Sequence, residues 1–91
     1  MMQQAEVKLM NPSGLHARPA AQFVKTASRF KDTSIKMIKG EREIDAKSII
    51  SIMSLGASQG TVLIIRAEGV GESEAVHALV GLIESGFGEG A

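Results

Sequence analysis

The stretch AEVKLMNPSGLHARPAAQFVKTASRF, residues 5–30, changes its period halfway along, and that change decides the fold. In its first part Ala5, Val7 and Leu9 alternate with Glu6, Lys8 and Met10, the period of two expected of a strand with one buried face. Asn11-Pro12-Ser13-Gly14 then supplies four consecutive turn formers. From Ala17 to Phe30 the spacing becomes helical, with Ala20, Phe23, Val24, Ala27 and Phe30 on one apolar face. Pro19 fits because it falls in the first turn, where its missing N–H costs nothing.

Downstream, Ile35 and Met37 alternate with Lys36 in a second strand, and Lys39-Gly40-Glu41 predicts a tight turn into a third through Ile44. Ser48 opens a short apolar segment, Ile49 to Leu55, that Gly56 ends; serine is a favoured helix N-cap and glycine a favoured stop. Thr61 to Ala67 is rich in β-branched residues and reads as a well-buried strand. After Gly69-Val70-Gly71, the residues Ala75, Val76, Leu79, Val80 and Ile83 recur at helical spacing between Glu72 and Ser85, and the glycines from Gly86 onward are expected to end the ordered chain. The order is β-α-β-β-α-β-α. Four strands and three helices in 91 residues predict an α+β fold: one domain over residues 1–91, a four-stranded antiparallel sheet with its helices on one face.

Composition excludes several functions. Ten basic and ten acidic residues give a net charge of zero, which offers no phosphate-neutralising surface for nucleic acid. Trp and Tyr are absent and Phe occurs three times, so stacking platforms for bases are lacking. Without cysteine there is no disulfide, thiol catalysis or thiolate metal site. No His/Asp/Glu cluster has metal-ligand spacing, and no cofactor is expected. No apolar run approaches the roughly 20 residues of a membrane span. Residues 1–10 mix Glu6 and Lys8 into their apolar positions, unlike a secretion signal. A cytoplasmic protein is the expectation.

The chemistry concentrates at Gly14-Leu15-His16-Ala17-Arg18-Pro19-Ala20, where the turn meets the helix. A histidine side chain presents a ring nitrogen that can act as a nucleophile near neutral pH. A helix start offers free N–H groups and the positive end of the helix dipole, which suit an anion. Arg18 adds a forked guanidinium that pairs with phosphate oxygens. An isolated His-x-Arg pair is more often a helix start beside a solvated charge; the coincidence with Gly14, Pro19 and the turn shifts the reading toward a residue that accepts a phosphoryl group. His77, on the last helix, reads as a surface histidine, and Glu41, Arg42, Glu43 and Asp45 as ordinary hairpin charges.

The string Gly14 to Ala20 resembles the active-site signature of the HPr family, the histidine-containing phosphocarriers of the bacterial phosphoenolpyruvate:sugar phosphotransferase system. Ala46-Lys47-Ser48-Ile49-Ile50-Ser51-Ile52-Met53-Ser54-Leu55-Gly56 resembles the same family's regulatory serine region, and the element order is similar to its open-faced β-sandwich. The resemblance implies that His16 is phosphorylated on Nδ1 by enzyme I and passes the group to IIA components of sugar transporters, with Arg18 stabilising it. It also implies that Ser48 is phosphorylated by an HPr kinase/phosphorylase, that the product binds a catabolite-control transcription regulator, and that Ile49, Ile50 and Met53 dock partner proteins. By their helical spacing alone, those three side chains would be buried by default, with one or two left exposed.

The expected protein is thus a monomeric carrier with no turnover reaction of its own. A nitrogen-branch carrier would use the same His16, although the Ser48 segment favours the sugar branch. A regulatory paralogue acting only through the serine site would lack the histidine. A small acylphosphatase-like hydrolase would bind phosphate through an arginine, with no histidine nucleophile and no last helix.

Overall fold

The computed structural model describes residues 1–89. Four strands, β1 (Met2–Lys8), β2 (Thr33–Lys39), β3 (Arg42–Asp45) and β4 (Val62–Gly69), form one antiparallel sheet in the order β1-β4-β2-β3. Three helices, α1 (Ala17–Ala27), α2 (Ile49–Ser54) and α3 (Glu72–Glu84), complete the β-α-β-β-α-β-α order, and the helices cover one face of the sheet.

Register explains why one face is covered. Val7 pairs with Leu63, Met37 with Ile65 and Ile35 with Ala67, and all six side chains are buried under the helices. Their neighbours along each strand point the other way because side chains alternate across a sheet. Helix α1 contributes Ala20, Phe23 and Ala27 to this core, α2 contributes Ile52, and α3 contributes Ala75, Leu79 and Ile83. Burying each large apolar side chain contributes about 1.5–3 kcal/mol.

Four expectations need correction. Strand β4 is buried on one face only: Val62 is exposed and Ile64 and Arg66 are half-buried. The β-branched residues there mark a pleated surface, which propensity alone does not distinguish from burial on both sides. Helix α1 ends at Ala27, short of Phe30, because the chain turns after the cap residue Ser28; Phe30 reaches the core from that turn. The hairpin charges are more than solvated. Arg42 Nη1 donates to the Ser54 carbonyl at 2.8 Å and Lys39 Nζ to the Leu55 carbonyl at 2.9 Å, capping the C-terminal end of α2.

The last correction concerns the glycine-rich end at Gly86 and Gly88; the expectation at Gly90 lies outside the described residues. Residues Gly86–Gly88 form a turn of 3-10 helix in which Phe87 is buried in the core, with a left-handed backbone at φ 54°. A left-handed residue with a side chain costs roughly 1–2 kcal/mol, which the burial of a phenyl ring offsets. The glycines permit the turn, and the phenylalanine anchors it.

Candidate functional site

His16 is the N-cap of α1. Its backbone carbonyl accepts the Ala20 N–H at 2.9 Å, so the residue closes the first helical turn. Its side chain makes no capping hydrogen bond. Serine, threonine or aspartate would satisfy a helix amide there and stabilise the helix by about 1 kcal/mol. Histidine forgoes that contribution and leaves an exposed imidazole with its ring nitrogens uncommitted.

The helix start is electropositive. No acidic residue occupies the first turn, and Pro19, which has no N–H, is buried beneath it. The first-turn amides of Ala17 and Arg18 have no acceptor within the helix. Arg18 is exposed and, among the described residues, makes no ion pair or side-chain hydrogen bond within the fold. Dipole and free amides therefore meet at the end of the helix that carries His16, with the exposed Arg18 in the same first turn, an arrangement suited to a phosphate-sized anion.

The loop leading into His16 is fixed from two sides. On one side it packs on residues 56–61. The Leu15 N–H donates to the Ala57 carbonyl at 3.0 Å, and Gly14 lies directly against Ala57 and Ser58. A positive φ of 62° and the closeness of that backbone both demand glycine at position 14. Between the segments lies a shallow, open hollow of about 380 Å³ lined by Leu15, His16, Met53, Gly56, Ala57 and Ser58. It joins His16 to the exposed edge of α2.

On the other side stands Glu89, which sequence reading did not select. Its carboxylate accepts the Ser13 N–H at 3.2 Å, the Ser13 hydroxyl, and the Asn11 side-chain amide at 3.4 Å. Asn11, read only as a turn former, is fully buried and also donates to the Gly14 carbonyl at 2.8 Å. The Ser13 hydroxyl, followed by the Ser13 amide, the Asn11 amide and the nearby Arg18 charge, holds the Glu89 carboxyl below its ordinary value of 4.5.

Ser48 is the N-cap of α2, and its hydroxyl oxygen accepts the Ser51 N–H at 3.3 Å. The apolar residues after it divide cleanly. Ile52 and Leu55 are buried, whereas Ile49, Ile50 and Met53 are exposed, Ile50 to 79 %. Default burial therefore fails for all three candidate docking residues: a two-turn helix packed on one side presents the other to solvent. His77 is exposed, as expected of a surface histidine.

Comparison with known proteins adds the family. Residues 3–85 match the family model described as the PTS HPr component phosphorylation site. The phosphocarrier protein HPr of Xylella fastidiosa is 44 % identical over 88 residues, covering 97 % of this chain and 98 % of that one. The crystal structure of HPr-C-His from Thermoanaerobacter tengcongensis is 52 % identical, with a TM-score of 0.94 over 98 % of this chain and 99 % of that one. An HPr dimer from the same organism is 55 % identical, with a TM-score of 0.77 over 91 % and 94 %. With its four-stranded sheet, helices on one face, and a histidine-bearing helix start, the chain belongs to the HPr family of phosphocarrier proteins of the phosphotransferase system.

Proposed function

We propose that His16 is the phosphoryl-carrying residue and that Arg18 stabilises the group it carries. The observation that carries this reading is the uncapped, exposed imidazole at the N-terminus of α1, two positions before Arg18, whose guanidinium has no ion-pair partner among the described residues. The unprotonated Nδ1 attacks the phosphorus of phosphorylated enzyme I. A new N–P bond forms as the bond to enzyme I breaks, and the other ring nitrogen keeps its proton. The step then repeats in the other direction, with a nucleophile on a IIA component attacking the phosphorus and the N–P bond to His16 breaking. Shallow exposure serves both steps, because a phosphoryl group enclosed by the protein would be a poor donor to the next partner.

Docking is proposed to use Ile49, Ile50 and Met53, whose exposed apolar surface continues from the hollow beside His16. Ser48 is proposed as a regulatory phosphorylation site for an HPr kinase/phosphorylase, its product recognised by a catabolite-control transcription regulator. A phosphate there would sit at a helix start, where it is tolerated locally, and would add about −1.5 to −2 charges beside the docking surface. We propose a cytoplasmic monomer with all 91 residues acting as one unit; no helix among the described residues is long and apolar enough to cross a membrane.

Incubation with enzyme I and phosphoenolpyruvate, followed by mass spectrometry, tests the reading. An acid-labile phosphate that is absent from His16→Ala supports it. A wild-type protein that takes up no phosphate overturns it.

A further inference from the structure

We propose that Glu89 is a positioning residue for phosphoryl transfer, a latch that fixes the loop in front of His16; the inference rests on His16 as the carrier.

Three observations converge. First, the contact is long-range: a residue at position 89 holds Ser13 and Asn11, 76 and 78 positions earlier. Such closure carries an entropic cost that local turns do not. Second, its position is fixed by an anchor. Phe87, two residues away, is buried in the core through a left-handed turn, and the Glu89 N–H closes that turn on the Gly86 carbonyl at 2.9 Å. Third, the carboxylate engages the loop with three donors, including both the amide and the hydroxyl of Ser13. Hydrogen bonds to an ionised acceptor are stronger than neutral ones.

The consequence falls on His16 through the chain. Ser13 leads through Gly14 and Leu15 to His16, and that short run is held on its far side by the Ala57 carbonyl. With Glu89 in place the loop is clamped between the C-terminal turn and residues 56–61, so the His16 backbone has one position from which to present its ring. Without Glu89, Ser13 keeps only its bonds inside the loop. The docking surface on α2 shares no hydrogen bond with the latch. Partner binding and ring presentation are therefore separable, and the latch acts on the second. Misplacement of a reacting group by a fraction of an ångström to an ångström can cost up to about a hundredfold in rate.

The test uses Glu89→Ala, Glu89→Gln and Glu89→Asp in the full chain, with phosphorylated enzyme I as donor. Amide hydrogen exchange at Ser13 and Gly14 should quicken about tenfold in Glu89→Ala. The maximal rate of His16 phosphorylation should fall by about fivefold or more with KM unchanged, since docking is intact. Glu89→Gln, which keeps an acceptor without the charge, should fall between wild type and Glu89→Ala, and Glu89→Asp should restore part of the rate. In a Ser13→Ala background, Glu89→Ala should add little, as coupled residues require. Unchanged exchange at Ser13 overturns the latch, as does an unchanged maximal rate despite faster exchange. A wild-type protein that takes no phosphate removes the carrier reading instead, and the exchange comparison still decides whether the latch exists.

Discussion

Gly14 faces the Ala57 carbonyl so closely that a β-carbon built on it would stand 2.5 Å from that oxygen and 2.8 Å from the Ser58 α-carbon. Both neighbours are backbone, so neither can swing aside. Gly14→Ala should therefore be costlier than its one added methyl suggests. The left-handed φ alone contributes about 1–2 kcal/mol, and the collision adds to it. The expected outcome is a marked fall in melting temperature, together with slower phosphorylation of His16 because the loop must move to relieve the contact. Calorimetry and the transfer assay check the two parts.

Two positions of α2 on either side of Ser51 should respond in opposite ways. Ile52 is fully buried, and Ile52→Ala should cost about 2–5 kcal/mol of stability in a denaturant titration. Ile50 is 79 % exposed, and Ile50→Ala should leave stability within about 0.5 kcal/mol of wild type. Its effect should show instead as a KM for phosphorylated enzyme I raised about fivefold or more, the response of an anchoring side chain worth about 1 kcal/mol or more. A large stability loss with unchanged KM would remove Ile50 from the docking surface.

Ser48 should show two separable effects. Ser48→Ala removes the acceptor for the Ser51 N–H and should destabilise the protein by about 0.5–2 kcal/mol. Ser48→Asp retains a capping oxygen and adds charge, so stability should survive while phosphorylation of His16 slows, if the docking partner is acidic there. Unfolding curves and initial transfer rates for both variants provide the check; an unchanged rate with Ser48→Asp would argue against a regulatory role.

Glu89 gives the latch a pH dependence with a definite sign. Its carboxyl is held below the ordinary value of 4.5, chiefly by the Ser13 hydroxyl. A group whose pKa is depressed by folding contributes stability that is fully present above its unfolded value and is lost as the pH falls through the folded value. The latch should thus be closed at neutral pH and open in acid. Ser13→Ala should move the Glu89 titration, followed by carboxyl-carbon NMR, back toward 4.5. A titration unmoved by that substitution would show that the two side chains do not hold one another in solution.

Local patterns carried most of the architecture. The switch of period between Leu9 and Ala17 placed β1, the turn and α1, and Ser48 and Gly56 bracketed α2 because capping chemistry is decided by neighbours in sequence. The helix start that holds the proposed site was legible for the same reason: His16 caps α1, and Arg18 and Pro19 lie in its first turn. Glu89 was not, because its partners lie 76 and 78 residues away and nothing around it sets it apart from any exposed glutamate. Nor was the order of the last turn, where Gly86 and Gly88 suggested a frayed end and the deciding fact was the burial of Phe87 between them. The sidedness of α2 and β4 also escaped, since apolar residues on both faces of an element leave open which one meets the core.

The sheet order β1-β4-β2-β3 bears on how the carrier comes into being. Strand β1 has a single neighbour, β4, which is made some sixty residues later. On a growing chain, His16 is synthesised early, yet the strand before it has nothing to pair with until Val62–Gly69 has emerged. Pairing of such distant segments makes folding comparatively slow and late. A fragment ending before β4 would possess the histidine without its setting, and under the role proposed for His16 it should take up little phosphate. The sheet closes when the last strand slides between the first two, and the turn that brings Glu89 to the loop before His16 can form only after that.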